Sequence, residues 1–200
     1  MSEAVAAGVL PVRAELARKA LHLSTASVPV AWGLGFITAP TVRAALVAAV
    51  AVALSVELAR RTWPGAQRQF HARFGAMLRA HEARAFTGST WLALAMLAVV
   101  LLFPAPAAIV ALWAAAVGDG LASIVGRLTS HDASRKTWAG SSACAAATAV
   151  GAWWLAGAEI GPALLVGVAA AAAERPRVTL DDNVRVTVAA GVAAWVLLPR

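Results

Sequence analysis

Residues 85–118 read AFTGSTWLALAMLAVVLLFPAPAAIVALWAAAVG and contain no charged side chain. A membrane-spanning helix needs about 20 apolar residues, so this stretch is too long for a single span. Phe103-Pro104-Ala105-Pro106 lies in the middle of it, and proline removes an amide donor and disfavours helix at the residue before it. The stretch therefore predicts two consecutive spanning helices, roughly 88–103 and 107–126.

The same search along the rest of the chain predicts five more helices, at roughly 22–39, 42–59, 140–157, 160–174 and 183–198. Hydrophobic residues make up 60% of the chain and charged residues 14%, whereas soluble chains carry about 25% charge. This composition argues against a soluble enzyme, a coiled coil or a disordered tail. We expect an all-α, polytopic integral membrane protein with about seven transmembrane helices, formed by residues 1–200 as one domain.

The distribution of positive charge predicts the orientation of these helices. If the N-terminus is cytoplasmic, every Lys and Arg except Arg43 and Arg200 falls in a cytoplasmic segment, as the positive-inside rule requires. The net charge of +7 is then explained by basic loops beside an anionic leaflet, and not by nucleic-acid binding. We expect a multi-pass protein of the cell (inner) membrane with its C-terminus outside.

The longest cytoplasmic loop, residues 60–87, carries apolar side chains at helical spacing between arginines. This pattern is typical of an amphipathic helix in the membrane interface, and a solvated linker helix is the alternative. The apolar positions are Trp63, Phe70, Phe74, Met77 and Leu78.

Unusual polar residues gather at the cytoplasmic ends of the predicted helices, so we expect any site to face the cytoplasm. Asp119, between Gly118 and Gly120, precedes Arg127 by eight positions and lies about 12 Å inside the helix end. A carboxylate at that depth is costly and points to a functional site. The alternative is an internal partner for a neighbouring arginine.

Lys136-Thr137-Trp138-Ala139-Gly140-Ser141 opens a predicted helix. Free N–H groups and the positive end of the helix dipole suit a phosphate, and Lys136 would add a point charge. A capped helix with an interfacial lysine and tryptophan is the alternative. For Thr87-Gly88-Ser89-Thr90, N-capping is the favoured interpretation.

Two further groups carry charge. Glu15, Arg18, Lys19 and His22 share one helix face, either as a surface salt-bridge cluster or as groups reaching inward for a phosphate or proton. Asp181-Asp182-Asn183 offers the oxygen ligands that Mg²⁺ prefers, or caps a helix at Asp182 or Asn183. Glu57 and Glu174 are lesser candidates on the same face.

These motifs, in this order, resemble the family of dolichol kinases, phytol kinases and CTP-dependent diacylglycerol kinases of fungi. The resemblance extends from about residue 13 to residue 188. It rests on Arg18-Lys19-x-x-His22, Gly118-Asp119-Gly120-Leu121-Ala122-Ser123-x-x-Gly126-Arg127, Lys136-Thr137-Trp138-Ala139-Gly140-Ser141, Glu174 and Asp181-Asp182-Asn183.

The resemblance implies a membrane enzyme that transfers the terminal phosphate of CTP or ATP to the hydroxyl of a lipid alcohol, with Mg²⁺. The family often has Glu where this chain has Ala139, and a Gly- and Lys-rich segment where it has residues 128–134, which leaves the nucleotide open. Catalytic roles fall to Arg18, Lys19, His22, Asp119, Lys136 and Asp182. Nucleotide binding falls to Gly118, Gly120, Ser123, Gly126, Arg127, Thr137, Gly140, Ser141 and Asn183. Metal binding falls to Asp119, Glu174, Asp181 and Asp182.

Two other functions compete with this one. Phosphatidate cytidylyltransferases have similar aspartate and lysine motifs, but their C-terminal His-Gly-Gly signature has no counterpart here. A small membrane transporter would have polar groups toward both faces, whereas this chain has them on one. Phytol, a polyprenol and diacylglycerol all end in a primary hydroxyl, so the sequence leaves the lipid open.

Overall fold

The structure is a computed structural model that describes residues 12–83, 85–130, 136–176, 178 and 180–199. Every regular element of this part is helical, which confirms the all-α prediction. Four of the arginines used to predict the orientation, Arg84, Arg135, Arg177 and Arg200, lie outside the described residues. The α-helices are α1 Val12–Ser24, α2 Ser27–Gly33, α3 Ala39–Thr62, α4 Pro64–Phe74, α5 Gly88–Leu102, α6 Ala105–Thr129, α7 Trp138–Ala156, α8 Ile160–Glu174 and α9 Asp182–Leu197.

The break predicted inside residues 85–118 is present. Phe103 ends α5 in an extended conformation, and Pro104 is the N-cap of α6. α7, α8 and α9 also lie where the apolar runs predict them. The helix predicted at 42–59 begins earlier and ends later, as α3.

The first predicted helix, 22–39, is wrong. α1 ends at Ser24, and α2 ends at Gly33. The Thr25 hydroxyl donates to the carbonyl of His22 at 2.6 Å, and Pro29 has no N–H to continue the helical ladder. Gly35 then adopts a positive φ of 79°, so the chain turns before α3.

α6 forms the centre of the molecule. About two thirds of its apolar segment is buried (67%), whereas only 22% of the apolar segment of α3 is buried. α6 packs against α7 and α9, and small side chains let these helices approach closely. α3 lies at the edge and packs mainly on α5 and α4.

Two helices of the described chain, α3 and α6, are long and apolar enough to cross a membrane. α5 and α8 are apolar but have 15 residues each, or about 22 Å at 1.5 Å per residue, against a hydrocarbon core of about 30 Å. Large apolar side chains also face outward on α3 and α8, and such surfaces mark interaction with membranes or partners. These features support association with a membrane, while the count of seven spans stays a prediction. Examples are Val47, Val52, Leu58, Leu164, Leu165 and Val168.

Candidate functional site

A pocket of about 580 Å³ lies between α1, α3 and α5 and the N-terminus of α9. Along α3 the lining changes from Ala45 and Ala49 to Glu57, and Glu57 bonds Thr87 at the start of α5, where Asn183 bonds Gly88. The pocket is therefore apolar at the Ala45 end and polar at the Glu57 end, which includes most of the charged motifs that the sequence singles out. The apolar lining includes Leu21, Val28, Ala45, Ala49, Ala53 and Met96; the polar lining includes Arg18, Lys19, His22, Asp119, Ser123, Asp181, Asp182 and Asn183.

Asp119 and Lys19 form a buried ion pair at the polar end. Lys19 Nζ donates to Asp119 Oδ2 at 2.7 Å, and the side chains are 6% and 4% exposed. A buried carboxylate needs a partner of this kind because burial disfavours an isolated charge. The partner of Asp119 is thus a lysine from α1, and not the neighbouring arginine that the sequence suggests.

His22 lies beside this pair and contacts an irregular turn in α6. Residues Ala114–Gly118 form a π-helical turn, a feature frequent at functional sites. The carbonyl of Ala115 bonds the His22 ring at 2.5 Å, and His22 Nε2 lies 3.6 Å from Asp119 Oδ2. Lys19 and His22 therefore reach inward. Arg18 pairs with Glu15 at 3.1 Å, as the salt-bridge interpretation predicts, but it also lines the pocket and lies 3.9 Å from the buried Glu82.

Lys136 lies in a second charged cluster, together with two of the predicted acidic residues. Its Nζ bonds Asp182 Oδ2 at 2.7 Å and also pairs with Glu174. Burial opposes the charged form of Lys136, but the two carboxylates outweigh it and raise the pKa of the ammonium group. Arg185 pairs with Asp182 from the other side, and Glu174 accepts from Ser141 Oγ at 3.3 Å.

The acidic triplet begins α9, one residue earlier than predicted. Asp181 is the N-cap, and its carboxylate accepts from the N–H of Asn183 at 2.9 Å. The Asn183 amide nitrogen donates to Asp181 Oδ1 and to the carbonyl of Gly88. Asn183 is 8% exposed, yet its Oδ1 has no hydrogen-bond partner. This orphaned oxygen belongs to a residue that lines the pocket, and buried polar atoms are normally paired.

The predicted phosphate cradle at the start of α7 is engaged with the protein itself. Thr137 caps the helix, with Oγ1 accepting from the N–H of Gly140 at 3.0 Å, and the N–H of Ser141 donates to the carbonyl of Thr137. A Cβ on Gly140 would lie 2.6 Å from the carbonyl oxygen of Ala122. The glycine is therefore required where α7 crosses α6, and capping is the arrangement found.

The remaining predicted nucleotide-binding residues fall into two groups. Ser123 lines the pocket, and Arg127 lies in the last turn of α6. A Cβ on Gly118 would meet Thr148 Oγ1 at 2.6 Å, and one on Gly120 would meet Leu23 at 2.8 Å. These two glycines therefore permit close packing of α6 against α7 and α1, whereas a Cβ on Gly126 would make only an ordinary contact with Thr137, at 3.4 Å.

Glu82 is a buried carboxylate that the sequence analysis misses. It is 2% exposed and accepts from the N–H groups of Gly88 and Arg79, each at 2.8 Å. Glu57 has a similar role, because it accepts from the N–H of Thr87 at 2.8 Å and from Arg60. The carboxylates thus tie the 75–87 segment to the start of α5, where Thr87 is the N-cap. Glu82 follows an alanine–histidine pair in a basic loop, so no periodic pattern marks it.

Among the described residues, no group of three or more His, Cys, Asp and Glu side chains is placed to hold a metal ion. Asp119 and Glu174 are neutralised by lysines. Asp182 is likewise paired, with Lys136 and Arg185. The oxygens that fit a hard cation best are therefore those of Asp181 and Asn183, which line one pocket and include the Asn183 Oδ1 that has no partner among the described residues. The donor set fits a cation that arrives with a phosphate-bearing ligand and takes only one or two protein carboxylates.

The segment after α3 covers the pocket. Phe70 and Phe74 of α4, followed by Met77 and Leu78, line it together with Arg79. The Arg60 guanidinium lies 5.4 Å from the centre of the Phe70 ring, which tethers α4 to the end of α3. Of the five apolar positions predicted to form an amphipathic helix, these four therefore line the pocket, whereas Trp63 is exposed.

Comparisons with protein-family models, with curated proteins and with solved structures found no match for this chain.

Proposed function

We propose that this protein is a multi-pass membrane enzyme that transfers the terminal phosphate of CTP or ATP to the hydroxyl of a lipid alcohol. The substrates considered are isoprenoid alcohols, such as phytol or a polyprenol, and diacylglycerol. The active site would face the cytoplasm. The motif order shared with the dolichol, phytol and CTP-dependent diacylglycerol kinases supports this function.

The division of the pocket between an apolar end and a charged end is the observation that carries the proposal. An isoprenoid or acyl chain would lie along Ala45, Ala49 and Ala53, whose small side chains repeat every four residues on one face of α3. Its hydroxyl would then lie at the polar end. Ligand pockets typically combine a mostly apolar wall with a few convergent polar groups.

Phosphoryl transfer requires mainly positioning and stabilisation of negative charge. The bond from the terminal phosphorus to its bridging oxygen breaks, a bond to the lipid oxygen forms, and the nucleoside diphosphate leaves. Arg18 lies 3.1 Å from Glu15 and 3.9 Å from Glu82 through its two terminal nitrogens, while its buried Nε has no hydrogen-bond partner among the described residues. A guanidinium has five N–H donors, so in this proposal Arg18 can also bind the transferred group. The hydroxyl proton passes to His22, which lines the pocket, because Asp182 is engaged by Lys136 and Arg185.

Lys19 and Lys136 act indirectly in this proposal, because both are bound to carboxylates. They hold Asp119 and Asp182 in place and keep them charged. Asp181 and the Asn183 amide oxygen would hold Mg²⁺, which would neutralise charge on the nucleotide phosphates. In this proposal Lys136 does not bind the nucleotide phosphates, which are bound by groups that line the pocket.

A phosphotransfer assay tests the proposal. The purified protein with Mg²⁺ is given γ-labelled CTP or ATP, together with phytol, a polyprenol or diacylglycerol. Label in the lipid is the expected result, and it identifies the donor and the acceptor together. Release of pyrophosphate with a cytidylylated lipid would instead show a cytidylyltransferase. No transfer with any pair of substrates would contradict the proposal.

A further inference from the structure

α4 places Phe70 and Phe74 on the pocket and carries two arginines without an ion pair on its exposed surface. No residue of α4 is buried. Arg68 and Arg73 are exposed, and within the described part of the chain neither is in an ion pair. From Arg61 to Arg79 the sequence has no Asp or Glu, so nothing in this segment offsets the positive charge.

The position of α4 in the chain brings this charge to the membrane surface. α4 begins one residue after α3 ends, and α3 is one of the two helices able to cross a membrane. The residue between them, Trp63, is 67% exposed, and tryptophan is enriched at the membrane–water interface. A helix that leaves a spanning helix at such a residue starts among the lipid headgroups.

We propose that α4 binds the headgroups of anionic membrane lipids through Arg68 and Arg73, and that this contact seats Phe70 and Phe74 over the pocket. Juxtamembrane arginines are attracted to anionic leaflets. Each arginine near the surface favours the membrane-bound state by roughly five-fold. Arg68 and Phe70 are two positions apart and point to nearly opposite sides of the helix, whereas Arg73, three positions after Phe70, lies at the edge of the face that carries Phe70. The two arginines therefore flank the outward side of α4. The proposal rests on the membrane location and not on kinase activity.

A fluorescent label on α4 tests this contact. Cys144 is the single cysteine and is buried, so Cys144→Ala with Ala72→Cys provides one labelling position on an exposed residue of α4. The labelled protein is placed in lipid nanodiscs of zwitterionic lipid, with or without anionic lipid, each containing a headgroup quencher. We expect stronger quenching in anionic nanodiscs, with a difference that shrinks at high salt.

Two charge-reversal variants decide the outcome. Arg68→Glu with Arg73→Glu should remove the dependence on anionic lipid, a change of roughly 25-fold or more in the seating equilibrium. Arg43→Glu is the matched control, because Arg43 is exposed near the opposite end of α3, and it should keep the dependence. Equal quenching in both nanodisc types at low salt would overturn the proposal. So would a double variant that behaves like the parent, or a control that loses the effect to the same extent.

Discussion

Lys19 Nζ lies 2.7 Å from Asp119 Oδ2, joining two residues that are 100 positions apart in the sequence. The chain contains only one other lysine, Lys136, and it too is bound to carboxylates, those of Asp182 and Glu174. Both lysines of the protein therefore hold acidic side chains of the candidate site in place. Arginines supply the remaining basic side chains, including those exposed on α4.

The Lys19–Asp119 pair should show strong coupling in a double-mutant cycle. Lys19→Met or Asp119→Asn alone leaves its partner buried without a counter-charge, which costs about 3–5 kcal/mol. The double variant removes both groups and should recover a large part of that loss. Denaturant unfolding in detergent measures the four proteins.

A control for this cycle is available on the same helix. Glu15→Gln breaks the Glu15–Arg18 pair, whose side chains are each 20% exposed, and it should cost no more than about 1 kcal/mol. If the losses from Lys19→Met and Asp119→Asn simply add, the pair seen in the structure is not coupled.

The stability supplied by Lys136 should disappear only at high pH. Burial alone would lower the pKa of Lys136, but Asp182 and Glu174 raise it above the usual lysine value of 10.5. A group whose pKa is raised on folding stabilises fully below its unfolded pKa, and that contribution is lost as the pH rises through the folded pKa. We expect a loss of stability in wild type above about pH 10.5.

Lys136→Met should lack this alkaline component and should be less stable than wild type at pH 8. The chain has no tyrosine, so ionisation of tyrosine at alkaline pH does not contribute to either unfolding curve. Thermal unfolding between pH 8 and pH 12 measures both proteins. An identical pH dependence in wild type and variant would refute the role assigned to Lys136.

Gly140→Ala should be destabilising because the added methyl would lie 2.6 Å from the backbone oxygen of Ala122. Overpacking of this kind costs about 1–3 kcal/mol, although alanine favours helix. Gly161→Ala in α8 is the matched control, since no atom lies within 4 Å of its added methyl, and it should be neutral or slightly stabilising. Unfolding curves that rank the two variants in the opposite order would argue against the α6–α7 crossing.

Ala49→Phe should block the apolar end of the pocket, because Ala49 lines it. We expect loss of lipid phosphorylation with nucleotide binding retained. Ala48→Phe is its neighbour and control, on an exposed residue that does not line the pocket, and it should behave like wild type. Equal activity of the two variants would show that the lipid does not occupy this end.

Local signals predict most of the fold and less of the site. Long apolar runs bounded by Phe103-Pro104 and by glycine or charged residues give α5, α6, α7, α8 and α9 close to their observed positions. The segment 22–39 is apolar throughout, but its hydroxyl groups and Pro29 favour turns, and the hydropathy pattern does not register them. Apolarity predicts that a segment is buried or in lipid, and not that it is one straight helix.

Local sequence patterns do not predict contacts between residues that are far apart in the sequence. The sequence indicates that Asp119 needs a partner, but the choice of Lys19 depends on how α1 packs on α6. Glu82 accepts a hydrogen bond from the N–H of Gly88 because α5 starts beside it, and the sequence does not show this proximity. The N-cap of α9 is Asp181, and not the predicted Asp182 or Asn183. The end of a helix depends on backbone geometry, and it is defined only to within a residue or two.

The stoichiometry of products in a single turnover tests the central claim most directly. Wild-type protein, a γ-labelled nucleoside triphosphate, Mg²⁺ and the best lipid alcohol are mixed, and all products are quantified. The kinase account predicts one nucleoside diphosphate for each labelled lipid phosphate, with transfer lost in Ala49→Phe and kept in Ala48→Phe. Pyrophosphate release, or nucleotide hydrolysis without a labelled lipid, would contradict it.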